Sequence, residues 1–292
     1  MRIGIVGEFS WFNEYWSTPK GIKIAFDRLG NETIVFGYDP NNCDFGDLIR
    51  RENEYDFLVV FSCGSHPTLD REMKRLKESI SKKIILELGD EPQTKWMNSE
   101  RVYHADAVFT PDLNCHLEYK SKGIESYWLT HWGDEFIFEY DESIPRENRC
   151  ITTCGDRGLK ELNNRFGSLF INKRIPVEEN KYFYNSGTIC IQKSRFDEIT
   201  RRIFEAGGCK LAVVTDHISK STGIYDLFIH GEDILYYNTI DDAIEYIDIL
   251  LKDDDLRNRL ANNLFDKVNR LHRAESRCEQ IISIYKELIN KK

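Results

Sequence analysis

The stretch Tyr184–Asp216, YNSGTICIQKSRFDEITRRIFEAGGCKLAVVTD, decides the fold class. Thr188 to Gln192 is a short, β-branched apolar run, the signature of a strand buried on both faces. After the polar turn Lys193-Ser194-Arg195 the period lengthens, and Ile199, Ile203, Phe204 and Ala206 fall on one side of a predicted helix. Ser194-x-x-Asp197 has the spacing of a capping box at its start. Gly207-Gly208 supplies residues free to take the left-handed turn that stops a helix. Leu211 to Val214 then reads as a second buried strand, so the stretch is one βαβ unit.

Working outward, the same alternation fills the chain. Strands read at residues 2 to 7, 33 to 38, 57 to 62, 83 to 88, 107 to 110 and 127 to 132, with helical stretches at 18 to 29 and near 44 to 52, 68 to 81, 94 to 103 and 113 to 122. Strands alternating with helices imply parallel, doubly wound sheets, an α/β class. The polar, proline-containing run Phe138–Arg149, FEYDESIPRENR, is the natural linker. Beyond it the pattern restarts at Cys150. The expected organisation is therefore a Rossmann-like domain over residues 1–140, a second over 150–272, and an amphipathic terminal helix over 273–292 that returns toward the first.

Composition narrows the function classes. At 41% hydrophobic and 30% charged residues, the chain has the make-up of a globular protein, and no apolar run approaches the 18 or so residues of a membrane span. Its start, MRIGIVGEF, reads as a buried strand rather than a secretion signal. The eight cysteines are scattered without C-x-x-C or zinc spacing, which points to a reducing cytoplasm. Residues 1 to 140 hold 16 Lys+Arg against 24 Asp+Glu, and the remainder 24 against 25. So acidic a first half lacks the overall basic footprint of a nucleic-acid binder.

In an open α/β sheet the ligand lies beyond the carboxyl ends of the strands. The first strand ends at Gly7-Glu8, and the loop after it carries Trp11, Phe12, Tyr15 and Trp16. Aromatic planes there suit an acceptor-binding lip, since sugar rings present apolar faces, or equally suit packing against a neighbouring domain. The G-x-G-x-x-G pattern is incomplete, which argues against a dinucleotide site. Asp90 and Glu91 after the fourth strand and His131 at the end of the sixth are candidate proton acceptors for an acceptor hydroxyl. Capping by Asp90 and a structural His131 are the competing readings.

The run Arg202-Ile-Phe-Glu205-Ala-Gly-Gly-Cys209, the strand ending in Thr215-Asp216 and the later Gly231-Glu-Asp-Ile-Leu-Tyr resemble the carboxy-terminal half of the CgeB-like glycosyltransferases, relatives of the group 1 family with the GT-B fold. The resemblance is strongest over residues 150 to 272. It departs at Gly207-Gly208-Cys209, where the family usually has a larger residue and a Cys-Gly pair. It implies two Rossmann-type domains and transfer of sugar from a nucleotide-diphosphate sugar, with no cofactor and no metal. Glu205 would hold the donor's ribose hydroxyls, as a carboxylate can accept two hydrogen bonds from a vicinal diol. Gly155, Arg157, Ser194 and Arg202 would complete the donor site, with the diphosphate near the amino end of the helix that carries Glu205. The competing reading of Glu198, Arg201, Arg202 and Glu205 is a solvated helix face laced by ion pairs. The acceptor stays open among saccharide, protein and a modified DNA base. The acidic triplet 253 to 255 lies between helices and not after a central strand, so it reads as helix capping rather than a D-x-D metal motif. The alternatives in function are a nucleotide-sugar epimerase and a non-catalytic nucleotide-sugar-binding or structural protein on the same architecture.

Overall fold

The computed structural model describes residues 1–13, 18–39, 42–62, 67–89, 91–155 and 157–291; of Trp11, Asn13 and Pro67 it describes the backbone alone. The chain divides into two compact units, residues 1–130 with 274–292, and residues 131–273.

Unit 1 runs β1 (Arg2–Glu8), α1 (Phe9–Asn13), α2 (Thr18–Arg28), β2 (Glu32–Tyr38), α3 (Gly46–Arg50), β3 (Phe57–Ser62), α4 (Pro67–Ser79), β4 (Lys83–Leu88), β5 (Ala107–Thr110), α5 (Leu113–Ser121) and β6 (Ser126–Trp128). Its six strands are parallel in the order β2-β1-β3-β4-β5-β6. All six residues of β3, FLVVFS, are buried, as a central strand covered on both faces requires. The carboxy-terminal helix Ala274–Asn290 belongs to this unit. Its Tyr285 ring stacks on Phe57 at 4.3 Å, and its buried Arg277 donates to the carbonyl and hydroxyl of Thr130 at 2.8 and 2.6 Å. Burial brings the Arg277 guanidinium down to about 9.

One expected helix is absent. Residues 94 to 103 form two short 3-10 turns, Lys95–Met97 and Arg101–His104. Buried polar side chains hold this segment: Asn98 donates to Glu91 at 3.0 Å, and Arg101 donates to Asp70 at 2.7 Å and to Ser62 at 2.6 Å. A regular helix would turn several of these groups away from their partners.

Unit 2 runs β7 (Cys150–Thr152), α6 (Lys160–Phe166), β8 (Phe170–Asn172), α7 (Asn180–Asn185), β9 (Ile189–Gln192), α8 (Arg201–Gly208), β10 (Ala212–Asp216), α9 (Ile224–Leu227), β11 (Leu235–Tyr237), α10 (Ile240–Lys252) and α11 (Asp254–Leu271). Its five parallel strands take the order β11-β10-β9-β7-β8. The run 138–149 packs within this unit rather than standing free as a linker. Phe138 is buried, and Arg146 donates to the carbonyl of Lys210 at 2.8 Å.

The deciding stretch differs from its sequence reading at both ends of its helix. α8 starts only at Arg201, with Thr200 as its N-cap, because Ser194 and Asp197 are engaged elsewhere. Ser194 gives its N–H and its hydroxyl to Asp216 at 2.8 and 2.5 Å, and Asp197 accepts from the Ser219 N–H at 2.6 Å. At the other end Gly207 and Gly208 are helical, and the positive φ falls on Lys210. Close packing explains the glycines. A Cβ on Gly207 would stand 2.8 Å from Val268 and 2.9 Å from Leu264, and one on Gly208 would stand 2.5 Å from the Phe138 carbonyl oxygen.

Candidate functional site

In unit 2 the chain moves from β7 outward to β8 and then returns to β9 on the other side of β7, so β7 and β9 flank the point where strand order reverses. A crevice at the carboxyl ends of such strands is where open α/β sheets bind ligands. The loop after β7 supplies Thr153, Gly155 and Arg157; the loop after β9 supplies Lys193, Ser194, Arg195 and Glu198; and α8 follows with Arg201, Arg202 and Glu205.

Hydrogen bonds bring these segments together. Arg202 donates from Nε to Thr153 Oγ1 at 3.0 Å, and that hydroxyl lies 3.2 Å from the Tyr184 hydroxyl. Arg157 donates to the Lys193 carbonyl at 2.9 Å. Gly155 has φ +68°, and its backbone pairs both ways with the Asn172 amide, at 3.1 and 2.7 Å. A side chain there would meet the Arg174 guanidinium at 3.2 Å. Glycine is needed on both counts.

The region is rich in cations. Burial and then the neighbouring cations Arg202 and Arg195 lower the Arg157 pKa, with Glu198 acting the opposite way. Three guanidiniums thus share one region. Lys193 adds a fourth cation, its Nζ 3.3 Å from where a Cβ on Gly158 would stand. Glu205 is only 14% exposed and lies 3.6 Å from Arg201 Nε, while Arg201 is 3.7 Å from the fully buried Asp134. Burial raises the Glu205 pKa, and Arg201 and Arg202 act against that rise. This is not a wet face of solvated ion pairs.

Gly155, Arg157, Ser194, Arg202 and Glu205 therefore gather in one region of unit 2. The acceptor-side candidates are described each within its own unit. Gly7 and Glu8 close β1, and the Trp11 side chain, Tyr15, Trp16 and Asp90 lie outside the described residues. Glu91 is buried in unit 1, where its Oε1 accepts from Asn98 and from the Tyr119 hydroxyl, and burial raises its pKa. It is not presented at the sheet edge as an open proton acceptor. His131 is half-buried and is grouped with unit 2. Among the described residues no three His, Cys, Asp or Glu side chains gather as a metal site. Asp253 caps α11, accepting from the Leu256 N–H at 2.9 Å. Sequence reading passed over Lys193, Arg195, Thr153 and Tyr184. The available signal was two cations in the turn directly after a buried strand.

Residues 151–283, which contain all five of these donor-side residues, match the family model described as glycosyl transferase-like. No curated protein matches the chain by sequence. Among solved structures, sucrose-phosphate synthase from Thermosynechococcus elongatus superposes with a TM-score of 0.69 at 10% identity, covering 100% of both chains. An alpha-glucosyltransferase in complex with UDP-glucose and DNA containing an abasic site gives 0.69 at 13% identity, over 98% of this chain and 99% of that one. Anabaena HepE in complex with UDP and glucose gives 0.66 at 11%, over 98% and 100%. The fold is that of the GT-B glycosyltransferases. Residues 151–283 of this chain are thus similar to the glycosyltransferase class.

Proposed function

We propose that this protein, as a CgeB-like member of that class, transfers a sugar from a nucleotide-diphosphate donor to an acceptor hydroxyl without a bound metal. The observation that carries this reading is the convergence of Arg157, Arg195 and Arg202 at the strand-order reversal of unit 2, two of them held by hydrogen bonds to its backbone and Thr153. Fixed cations there would bind the diphosphate and stabilise the charge that develops on it as the glycosidic bond breaks. Glu205, one turn further along α8, would accept from the ribose hydroxyls. Its raised pKa fits such a role, because bound hydroxyl donors would restore the hydrogen bonding that burial removes. UDP in the solved relatives of this fold supports uridine as the first base to test.

The test is thermal unfolding with UDP, GDP, ADP and dTDP at millimolar concentration, beside the free sugars. A nucleotide at a hundred times its Kd should add about 2.7 kcal/mol of stability, and the free sugars should add none. No response to any of the four nucleotides overturns the donor site. Turnover of a nucleotide sugar with no acceptor present, giving an isomeric nucleotide sugar, would instead identify an epimerase.

A further inference from the structure

Unit 1 displays two large aromatic side chains on an otherwise anchored segment. Trp96 is 68% exposed and Tyr103 56%, whereas Asn98, Arg101 and Val102 between them are at most 2% exposed. The anchors are the bonds from Asn98 to Glu91 and from Arg101 to Asp70 and Ser62. An aromatic ring left in water on a backbone held this firmly exposes apolar area while giving up little further freedom when something covers it.

Both rings line a pocket of about 580 Å³, whose lining also includes Tyr119, Lys122 and Ile124 in and after α5. That volume is in the range of small-molecule sites. Its charges balance. Lys95 and Lys122 both pair with Glu118, and Glu100 lies in the same lining. Such a pocket has no surplus cation for a phosphate polymer. Next in sequence to the lining residue Lys95 is Thr94, 6% exposed, whose Oγ1 has no partner among the described residues. Glu91 is joined to two wall residues, by its peptide bond to Pro92 and by the hydrogen bond from Tyr119.

We infer that this pocket is a binding site for a neutral saccharide chain. Sugar rings supply apolar C–H faces for Trp96 and Tyr103 and hydroxyls for Ser99, Glu100 and the loop beneath. The inference rests on unit 1 alone and does not depend on the donor site.

The test is native electrophoresis of the whole chain in gels cast with dextran, glycogen, glucomannan or xylan, and with heparin as an anionic control. At least one neutral polysaccharide should retard the protein. Trp96→Ala and Tyr103→Ala should each weaken that retardation tenfold or more, with Trp96→Phe in between. Both alanine variants should keep the parent Tm; if one does not, Trp96→Phe and Tyr103→Leu provide the comparison. Four results overturn the site: no retardation by any neutral polysaccharide, equal retardation of parent and variants, retardation by heparin alone, or a parent dimer that Trp96→Ala converts to monomer with no saccharide effect. The last would make the patch a contact between copies of the chain.

Discussion

Arg202 donates from Nε to Thr153 Oγ1 at 3.0 Å and so ties the first turn of α8 to the end of β7. The bond sets the charged face of α8 over the crevice of unit 2. Glu205, one turn on, pairs with Arg201 at i,i+4 spacing with only 14% of its side chain exposed.

The first prediction concerns Glu205→Gln. If Glu205 clamps ribose, the fold should be almost unchanged, while UDP affinity drops ten- to a hundredfold, or about 1.5 to 3 kcal/mol for the loss of a charged acceptor. Calorimetry on parent and variant decides it, and equal affinities assign Glu205 to its ion pair with Arg201.

Arg157→Ala should separate stability from binding. Burial, and after it the like charges of Arg202 and Arg195, lower the Arg157 pKa, so its removal relieves desolvation and repulsion in the free protein. The expected outcome is an unchanged or slightly higher midpoint in urea, with nucleoside diphosphate affinity at least tenfold weaker. A variant that loses stability and keeps its affinity would make Arg157 a support for the Lys193 loop.

Gly207→Ala reverses the usual effect of that substitution. In an exposed helix the change gains up to about 1 kcal/mol. Here the new methyl would press on Leu264 and Val268, and overpacking of this kind costs typically about 1 to 3 kcal/mol. Urea denaturation should show a net loss; a gain would mean that α8 and α11 can separate without penalty.

Glu91 provides a pH test. Its carboxyl holds its proton more tightly in the folded state than in the unfolded chain, because burial outweighs the hydrogen bonds it accepts. A carboxyl raised on folding contributes its stability below the unfolded pKa, and that contribution is lost as pH rises through the folded value. Glu91→Gln has no proton to lose. Measured from pH 4 to pH 8, the parent should weaken relative to the variant as pH rises, and parallel curves would show that Glu91 ionises without cost.

Transfer activity, once a donor and acceptor pair is found, should survive EDTA. Loss of activity restored by manganese would overturn metal-free transfer and put the carboxylates near the site under renewed study.

The α/β class was legible because it rests on local chemistry. Parallel strands buried on both faces must be near-continuously apolar, as Phe57–Phe61 and Ile189–Ile191 are, and the helices between them must show a stripe. The glycine at 155 and the cations at 157 and 202 were singled out by the resemblance of their surroundings to a glycosyltransferase family, and not by periodicity. Tertiary structure decided what depends on partners distant in sequence. Ser194 has the spacing of a helix cap and yet binds Asp216, 22 residues on, which lets α8 begin seven residues later. Gly207 and Gly208 look like a helix stop, but they are the places where α11 and the Phe138 backbone come too close for a side chain. Glu91 looked like an open proton acceptor until folding enclosed it with Asn98 and Tyr119. Periodicity reports which face of an element is apolar, and it carries no information about which polar group across the fold will reach a given side chain first.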